Sequence, residues 1–299
     1  MHPDIKPRRE KTGSVPYDPR MQLPLHQIDA FTDRLFAGNP AAVCPLDAWP
    51  ADGLLQQIAA ENNLSETAFY VADPDRPAHY ALRWFTPGAE VDLCGHATLA
   101  SAFVIFDGTA GKMADTLHFH TRSGELTVAR DAGGALRMDF PAAPAVALPE
   151  DEAPAIADAL KAALGRRPAE LYRAVNLLAV FDSEASLRAL RYSAALVPAL
   201  EAAGAWGLIA TAAADAGAEY DFVSRFFAPL KGVDEDPVTG SAHCTLMPYW
   251  SARLQKAELV GYQASARGGT VRCESSGDRV FLTGRCRRFL TGTITLPDC

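Results

Sequence analysis

The sequence predicts an α+β protein of two pseudo-symmetric domains, each a curled sheet around one enclosed helix. The first observation behind this is a repeat. Arg83-Trp84-Phe85-Thr86-Pro87 leads into Asp92-Leu93-Cys94-Gly95-His96-Ala97 and an apolar run to Phe106. Arg225-Phe226-Phe227-Ala228-Pro229 leads into Asp234-Glu235-Asp236-Pro237-Val238-Thr239-Gly240-Ser241-Ala242-His243 and an apolar run to Leu254. The pentapeptides lie 142 residues apart and Gly95 and Gly240 lie 145 apart, in a chain of 299. A period near half the chain implies a duplicated unit. The second observation is the grammar of each copy: a strand stopped by proline, a loop, then a glycine-led helix. That helix is apolar on nearly every side, so it has to be enclosed. Third, Thr116 to His120, Glu125 to Ala129 and Ala135 to Phe140 are short runs separated by turn residues, the pattern of a meander.

The remaining elements follow in order. Leu23 to Phe31 alternates like a strand, Gly38-Asn39-Pro40 marks a turn, and Ala41 to Cys44 reads as a second strand. Asp52 to Asn62 is a helix with Leu54, Leu55, Ile58 and Ala59 on one face, and Tyr80 to Phe85 is a strand. The first enclosed helix runs from about Gly95 to Asp107. The Pro/Ala-rich stretch from Pro141 to Pro149 separates a first half, 21–142, from a second, 143–299, with the last strand free to return to the first half. Ile156 to Leu164 reads as a helix ending at Gly165, and Leu171 to Phe181 as one strand. Ser183 to Arg191 and Leu196 to Ala203 read as helices, Trp206 to Thr211 and Tyr220 to Phe227 as strands. Leu259 to Leu296 reads as short strands with turns at Gly268-Gly269, Ser275-Ser276-Gly277 and Gly284. Residues 1–20 are polar and proline-dotted, a loose extension with Met21 as an earlier start.

Composition narrows the function. The formal charge is −8, the pI is about 5.4, and basic residues form no block, which disfavours nucleic acid. No apolar stretch reaches the roughly 18 residues of a membrane span. Cys44, Cys94, Cys244, Cys273, Cys286 and Cys299 show no C-x-x-C pair, which fits a reducing cytoplasm. There is no Walker loop and no G-x-G-x-x-G, so no nucleotide cofactor is indicated, and Gly240-Ser241-Ala242 is not a hydrolase elbow. His118 and His120 alternate on one strand face, but no third metal ligand stands near them in sequence; an exposed strand face is the simpler reading.

The chemistry concentrates on the two matching loops. A helix N-terminus presents unpaired N–H groups and partial positive charge, so the starts at Gly95 and Gly240 suit an anion. Glu66 sits where a polar turn enters a strand, a place where a carboxylate is ordinarily just solvated. His96 follows the helix-opening glycine, and Asp236 is held extended by Pro237. A lone His or Asp at a helix start is most often structural, and a duplicated fold whose loops merely cap helices remains an alternative.

Taken together, these residues resemble the phenazine-biosynthesis PhzF-like isomerases. The matching pieces are Asp29-Ala30-Phe31-Thr32, Gly38-Asn39-Pro40-Ala41-Ala42-Val43, Asn63-Leu64-Ser65-Glu66-Thr67-Ala68-Phe69, Asp92-Leu93-Cys94-Gly95-His96-Ala97-Thr98, Glu235-Asp236-Pro237-Val238-Thr239-Gly240-Ser241-Ala242 and Arg267-Gly268-Gly269. The resemblance implies a diaminopimelate-epimerase-like fold with the active site between the halves, a homodimer, no cofactor and a small carboxylated substrate. It implies Glu66 as the acid/base that moves a proton between carbons. It implies that His96 and Asp236 help bind the substrate and relay protons, and that Ser241 sits with Gly95 and Gly240 at the anion-binding helix starts.

One departure from the wider superfamily is informative. Diaminopimelate epimerases and proline racemases carry a thiol at each helix start. Here Cys94 holds the first place and Thr239 the second, so an opposed two-thiol pair is excluded. The alternatives to a Glu66 isomerase are a Cys94-dependent epimerase or dehydratase, with a thiol lowered at the helix start, and a non-catalytic protein that binds small acids.

Overall fold

The computed structural model describes residues 22–108 and 114–296; the extension expected at 1–20 and Met21 lie outside them. All its strands join by hydrogen bonds into one continuous sheet. The pairing order is the same twice over. In the first copy β1 (Gln22–Ala30) runs antiparallel to β2 (Asn39–Leu46). β2 runs parallel to β3 (Glu66–Ala72) through helix α1 (Asp52–Asn62), and β3 antiparallel to β4 (His79–Phe85). After the two-residue strand β5 (Glu90–Val91), helix α2 (Gly95–Asp107) crosses over to β6 (Thr116–Thr121), parallel to β4. β7 (Gly124–Arg130) and β8 (Leu136–Pro141) complete an antiparallel meander.

A short strand, β9 (Val146–Ala147), and helix α3 (Ala153–Leu164) lead into the second copy. β10 (Glu170–Arg173) pairs antiparallel with β11 (Leu177–Val180). β11 runs parallel to β12 (Leu208–Ala213) through α4 (Glu184–Arg188) and α5 (Leu196–Ala202). β12 is antiparallel to β13 (Phe222–Ala228). The short β14 (Val233–Asp236) precedes helix α6 (Gly240–Leu254), which crosses over to β15 (Glu258–Gln263), parallel to β13. β16 (Gly269–Ser276) and β17 (Arg279–Gly284) finish the second meander. β17 pairs with β8, and β18 (Cys286–Thr295) pairs with β1 along its whole length, so both seams between the copies are sheet hydrogen bonds.

The central helices explain the curl. α2 buries His96 to Ala102 and Val104 to Phe106, leaving no polar face for solvent. Its buried hydroxyls turn back on their own helix: Thr98 donates to the Cys94 carbonyl at 2.6 Å and Ser101 to the Ala97 carbonyl at 2.7 Å. α6 carries Pro248 in its interior, which leaves the Cys244 carbonyl without its helical donor. The Ala143 N–H, arriving from the connection after β8, supplies that donor at 3.0 Å. Trp84, Phe119, Leu99, Leu246, Met247 and Leu282 fill the apolar interior around the two helices.

The structure corrects three readings. Leu171 to Phe181 is a hairpin rather than one strand, because the chain turns at Ala174–Asn176 so that Asn176 is buried and Val175 is exposed. The loop before α6 contains a strand, β14, since Asp236 pairs with Phe226. The C-terminal strand is long, ten residues, because β1 templates it. Cys44, Cys94, Cys244, Cys273 and Cys286 are all free and buried. Among the described residues no helix is long and apolar enough to cross a membrane.

Candidate active site

Three chain segments meet at the starts of α2 and α6. Glu66 opens β3 and lies opposite Ala41 of β2; Asn39, two residues before Ala41, points to the same side of the sheet. That side faces α2. The helix starts themselves abut: a methyl group added to either Gly95 or Gly240 would lie 3.7 Å from the other glycine's Cα. The helices are capped alike, by Cys94 and Thr239 in extended conformation, and neither side chain caps its own helix. The first-turn N–H groups of both helices are thus turned toward the same place.

The arginines of the repeated pentapeptide hold these loops. Arg83 makes a two-pronged ion pair with Glu90, at 2.7 and 2.8 Å. Arg225 makes the same pair with Glu235, at 2.7 and 2.8 Å. A planar guanidinium bound on both prongs fixes direction as well as distance. Each strand therefore pins the loop that carries the following helix start. Gln263, on β15, ties the second loop down further: it accepts from the Thr239 N–H at 2.9 Å and donates to the Asp236 carbonyl at 2.8 Å.

Asn39 sits at the middle of the cluster and is fully buried. Its Nδ2 donates to Asp236 Oδ1 at 2.8 Å and to the Val238 carbonyl at 2.9 Å, and it lies 3.2 Å from His96 Nδ1. The Cys94 Sγ is 3.5 Å from the same ring nitrogen. The Asn39 amide NH2 beside Nδ1 can only donate, which assigns Nδ1 as an acceptor and places the ring proton on Nε2. That nitrogen faces Glu66 Oε2 at 3.1 Å. The two atoms are close without the alignment of a hydrogen bond, and neither has another partner among the described residues. Asp236 Oδ2 accepts from the Thr239 hydroxyl.

Burial sets the protonation states. Desolvation first, and the Asp236 charge second, push the Glu66 carboxyl up to about 8. Asp236 is pushed up to about 6 by burial, against the hydrogen bonds from Thr239 and Asn39. Burial pushes His96 down to about 3, so its ring is neutral through the neutral pH range. The Cys94 thiol is held well above the ordinary cysteine value by burial and then by the Glu66 charge. Glu66 is the reachable member: its side chain is 18% exposed, that of His96 only 6%. Such a cluster can hand a proton in and out at Glu66 while His96 presents a neutral N–H.

Every site residue expected from the sequence has a definite place. Glu66, His96, Asp236, Cys94 and Thr239 come together with Gly95 and Gly240. Ser241 is in the first turn of α6 and exposed. Sequence reasoning misses Asn39 and Gln263. Asn39 stands within the Gly38-Asn39-Pro40 turn signal, and Gln263 carries no signal, since only the fold brings β15 under the loop. Glu66, Cys94 and His96 could offer ligand atoms to a metal within 4.8 Å of one another. A metal there would have to displace the thiol proton and the Nε2 proton that burial and Asn39 keep in place, so the set fits acid/base chemistry better. A separate open cavity of about 570 Å³, lined by Phe31, Arg34, Tyr262, Thr270 and Arg285 among others, includes neither Glu66, His96 nor Asp236.

Known proteins match this chain over most of its length. The model of the phenazine biosynthesis-like protein family (PhzC–PhzF) matches residues 28–292. An uncharacterized isomerase of Pseudomonas aeruginosa is 47% identical over 276 residues, covering 92% of this chain and all of that protein. The human phenazine biosynthesis-like domain-containing protein is 42% identical over 293 residues, again 92% of this chain and 100% of that one. The crystal structure of a PhzF-family protein from Enterococcus faecalis superposes with a TM-score of 0.83 at 42% identity, covering 92% of this chain and 100% of that one. A hydroxyproline epimerase from Agrobacterium vitis shares the fold, with a TM-score of 0.55 at 10% identity. These relatives support an isomerase-type enzyme. The chain belongs to the phenazine biosynthesis-like family, built on the epimerase fold.

Proposed function

We propose that this chain is an isomerase that moves a proton between carbons of a small carboxylated substrate, such as a cyclic amino or hydroxy acid, with Glu66 as acid and base. The observation that carries this is the contact of a desolvated, reachable Glu66 with a neutral His96 N–H at the abutting helix starts. The substrate carboxylate docks against the first-turn N–H groups at Gly95 and Gly240, with Ser241 at the rim. Glu66, as carboxylate, takes the proton from the acidic carbon and returns it elsewhere on the same π-system. Helix-end amides and His96 Nε2–H stabilise the charge that develops between those events. Asp236 keeps the neighbouring field negative, which holds Glu66 in the range where it can both give and take a proton. The reaction in this form uses only side chains and backbone amides, and the family resemblance extends the proposal to a homodimer.

The test is a panel of cyclic amino and hydroxy acids incubated with the enzyme in D₂O. Solvent deuterium should enter one product carbon with the wild type. Exchange that is equally fast in Glu66→Gln would remove the proposal. Tight binding of a panel member without any turnover would favour the non-catalytic alternative.

The protonation states make two further expectations. Glu66 must be ionised to take the first proton, and its carboxyl lies at about 8. kcat/KM should therefore rise about tenfold per pH unit below that value and level above it. Asp236→Asn removes one cause of the raised value, so the inflection should move to lower pH. A profile flat from pH 6 to 9 would contradict Glu66 as the base. Cys94→Ala should retain most of the activity, because the thiol stays protonated where a thiolate would be needed. Loss of exchange in Cys94→Ala, with the fold intact by circular dichroism, would favour the cysteine-dependent alternative.

A further inference from the structure

We propose that His79, His120 and Glu125, with His118 beside them, form a surface site for a borderline divalent transition-metal ion such as zinc. Sequence alone offers only the alternating His118 and His120. The sheet supplies the rest. β4 pairs parallel with β6 so that His79 lies opposite His118, and β6 pairs antiparallel with β7 so that Glu125 lies directly opposite His120. Because side chains alternate along a strand and paired residues share a face, all these groups stand on one side of the sheet.

Without an ion the groups form a hydrogen-bonded cluster whose spacing is close to that of a coordination set. His79 Nδ1 is 2.9 Å from His120 Nε2. His118 Nδ1 is 3.0 Å from Glu125 Oε1, and His120 Nδ1 is 3.7 Å from Glu125 Oε2. One ligand atom each from His79, His120 and Glu125 can be chosen so that all lie within 4.8 Å of one another. The His79 and His118 rings stack with centroids 4.4 Å apart, and His79 and His120 at 5.2 Å, nearly parallel in both cases. Zinc–nitrogen bonds of about 2.0–2.1 Å put two tetrahedral ligand nitrogens roughly 3.4 Å apart. The His79–His120 pair therefore needs to open by only about half an ångström.

Chemistry agrees with geometry. Imidazole and carboxylate together suit zinc, nickel, cobalt or copper rather than magnesium or calcium. Metal binding needs the lone pairs of neutral rings, which three adjacent imidazoles on one sheet face can supply. The nearby Arg76 is itself neutralised by Asp73 at 2.7 Å. Strand register sets this cluster apart from Glu66 and its partners. Thr67 of β3 pairs with Phe85, and Ala72 pairs with Tyr80, so His79 and Glu66 lie at opposite ends of the strand pair, about 20 Å apart. An ion here would clamp β4, β6 and β7 together without touching the reaction.

The test is zinc titration of the full chain, carrying no histidine tag, by calorimetry with a parallel thermal melt. Wild type should bind zinc and gain thermal stability. His79→Ala and His120→Ala should each weaken zinc by about tenfold or more, and Glu66→Gln should leave zinc affinity unchanged. Zinc isotherms of wild type and His120→Ala that superimpose would overturn the site. So would zinc binding abolished by Glu66→Gln, which would place the ion on Glu66, Cys94 and His96 instead.

Discussion

Replacing Glu66 with glutamine is expected to slow turnover by about 10²–10⁴-fold, the usual contribution of a positioned acid/base, while making the folded protein more stable at alkaline pH. The two effects have one cause. Glu66 is carried at about 8 in the folded chain against an ordinary carboxyl value of 4.5. Below the lower value both folded and unfolded chains hold the proton, and burial costs nothing in pH dependence. Between the two values the unfolded chain releases the proton and the folded chain keeps it, so stability falls as pH rises. Above the upper value the folded chain carries the buried charge in full. A tenfold difference in proton affinity is worth about 1.4 kcal/mol, so a carboxyl lifted this far lowers stability by roughly 4–5 kcal/mol at pH 9. Glutamine keeps the shape and drops the charge. Denaturant unfolding at pH 4 and at pH 9 should show the variant gaining only at the higher pH, alongside lost deuterium exchange. A variant that loses activity with the same pH dependence of stability as wild type would mean that Glu66 is not desolvated in the folded state.

Asn39→Asp should be strongly destabilising although it is isosteric. The side chain keeps its size but loses both N–H donors. Its three neighbours, Asp236 Oδ1, the Val238 carbonyl and His96 Nδ1, are all acceptors. The two N–H donors are lost to two of these acceptors, each buried acceptor left without a donor costs about 1–3 kcal/mol, and a charge beside Asp236 adds repulsion. A loss of roughly 2–6 kcal/mol follows, larger at pH 8 than at pH 5 because the new carboxylate ionises. Activity should fall as well, since Nδ1 of His96 would then draw the ring proton to itself and turn an unprotonated Nε2 toward Glu66. Denaturant midpoints at the two pH values measure the first effect, and the histidine ring nitrogen resonances measure the second. An unchanged tautomer in a folded Asn39→Asp variant would show that Cys94 alone sets it.

Much of this site can be read along the chain, for a reason that lies in local chemistry. Gly95 and Gly240 follow strand-and-proline stops, and a glycine-led apolar helix has few other readings. The helix bounds at Gly95 and Asp107 and at Asp52 and Asn62 fall where periodicity places them. The match of Glu66, His96 and Asp236 to one family's motifs singles them out before any geometry. What stays hidden depends on partners far away in sequence. Val233–Asp236 reads as a polar loop because nothing local shows that Phe226 will pair with Asp236. Val175 is apolar, so the turn that splits Leu171–Phe181 into a hairpin leaves no mark in hydropathy. Arg83 and Arg225 are visible as repeated letters, but their two-pronged grips on Glu90 and Glu235 require the loops to fold back.

The sequence by itself determined the duplicated α+β architecture, the enclosed helices and the family, because hydrophobic period, turn residues and motif spacing are local properties of the chain. Tertiary structure alone decided that Asn39 and Gln263 join Glu66, His96 and Asp236 at the two helix starts, that His96 is buried there, and that His79 and Glu125 stand beside His118 and His120. Protonation and ligand sets depend on what is excluded from water and on which strand lies beside which. Those are facts of three-dimensional neighbourhood, and a register along one strand does not contain them.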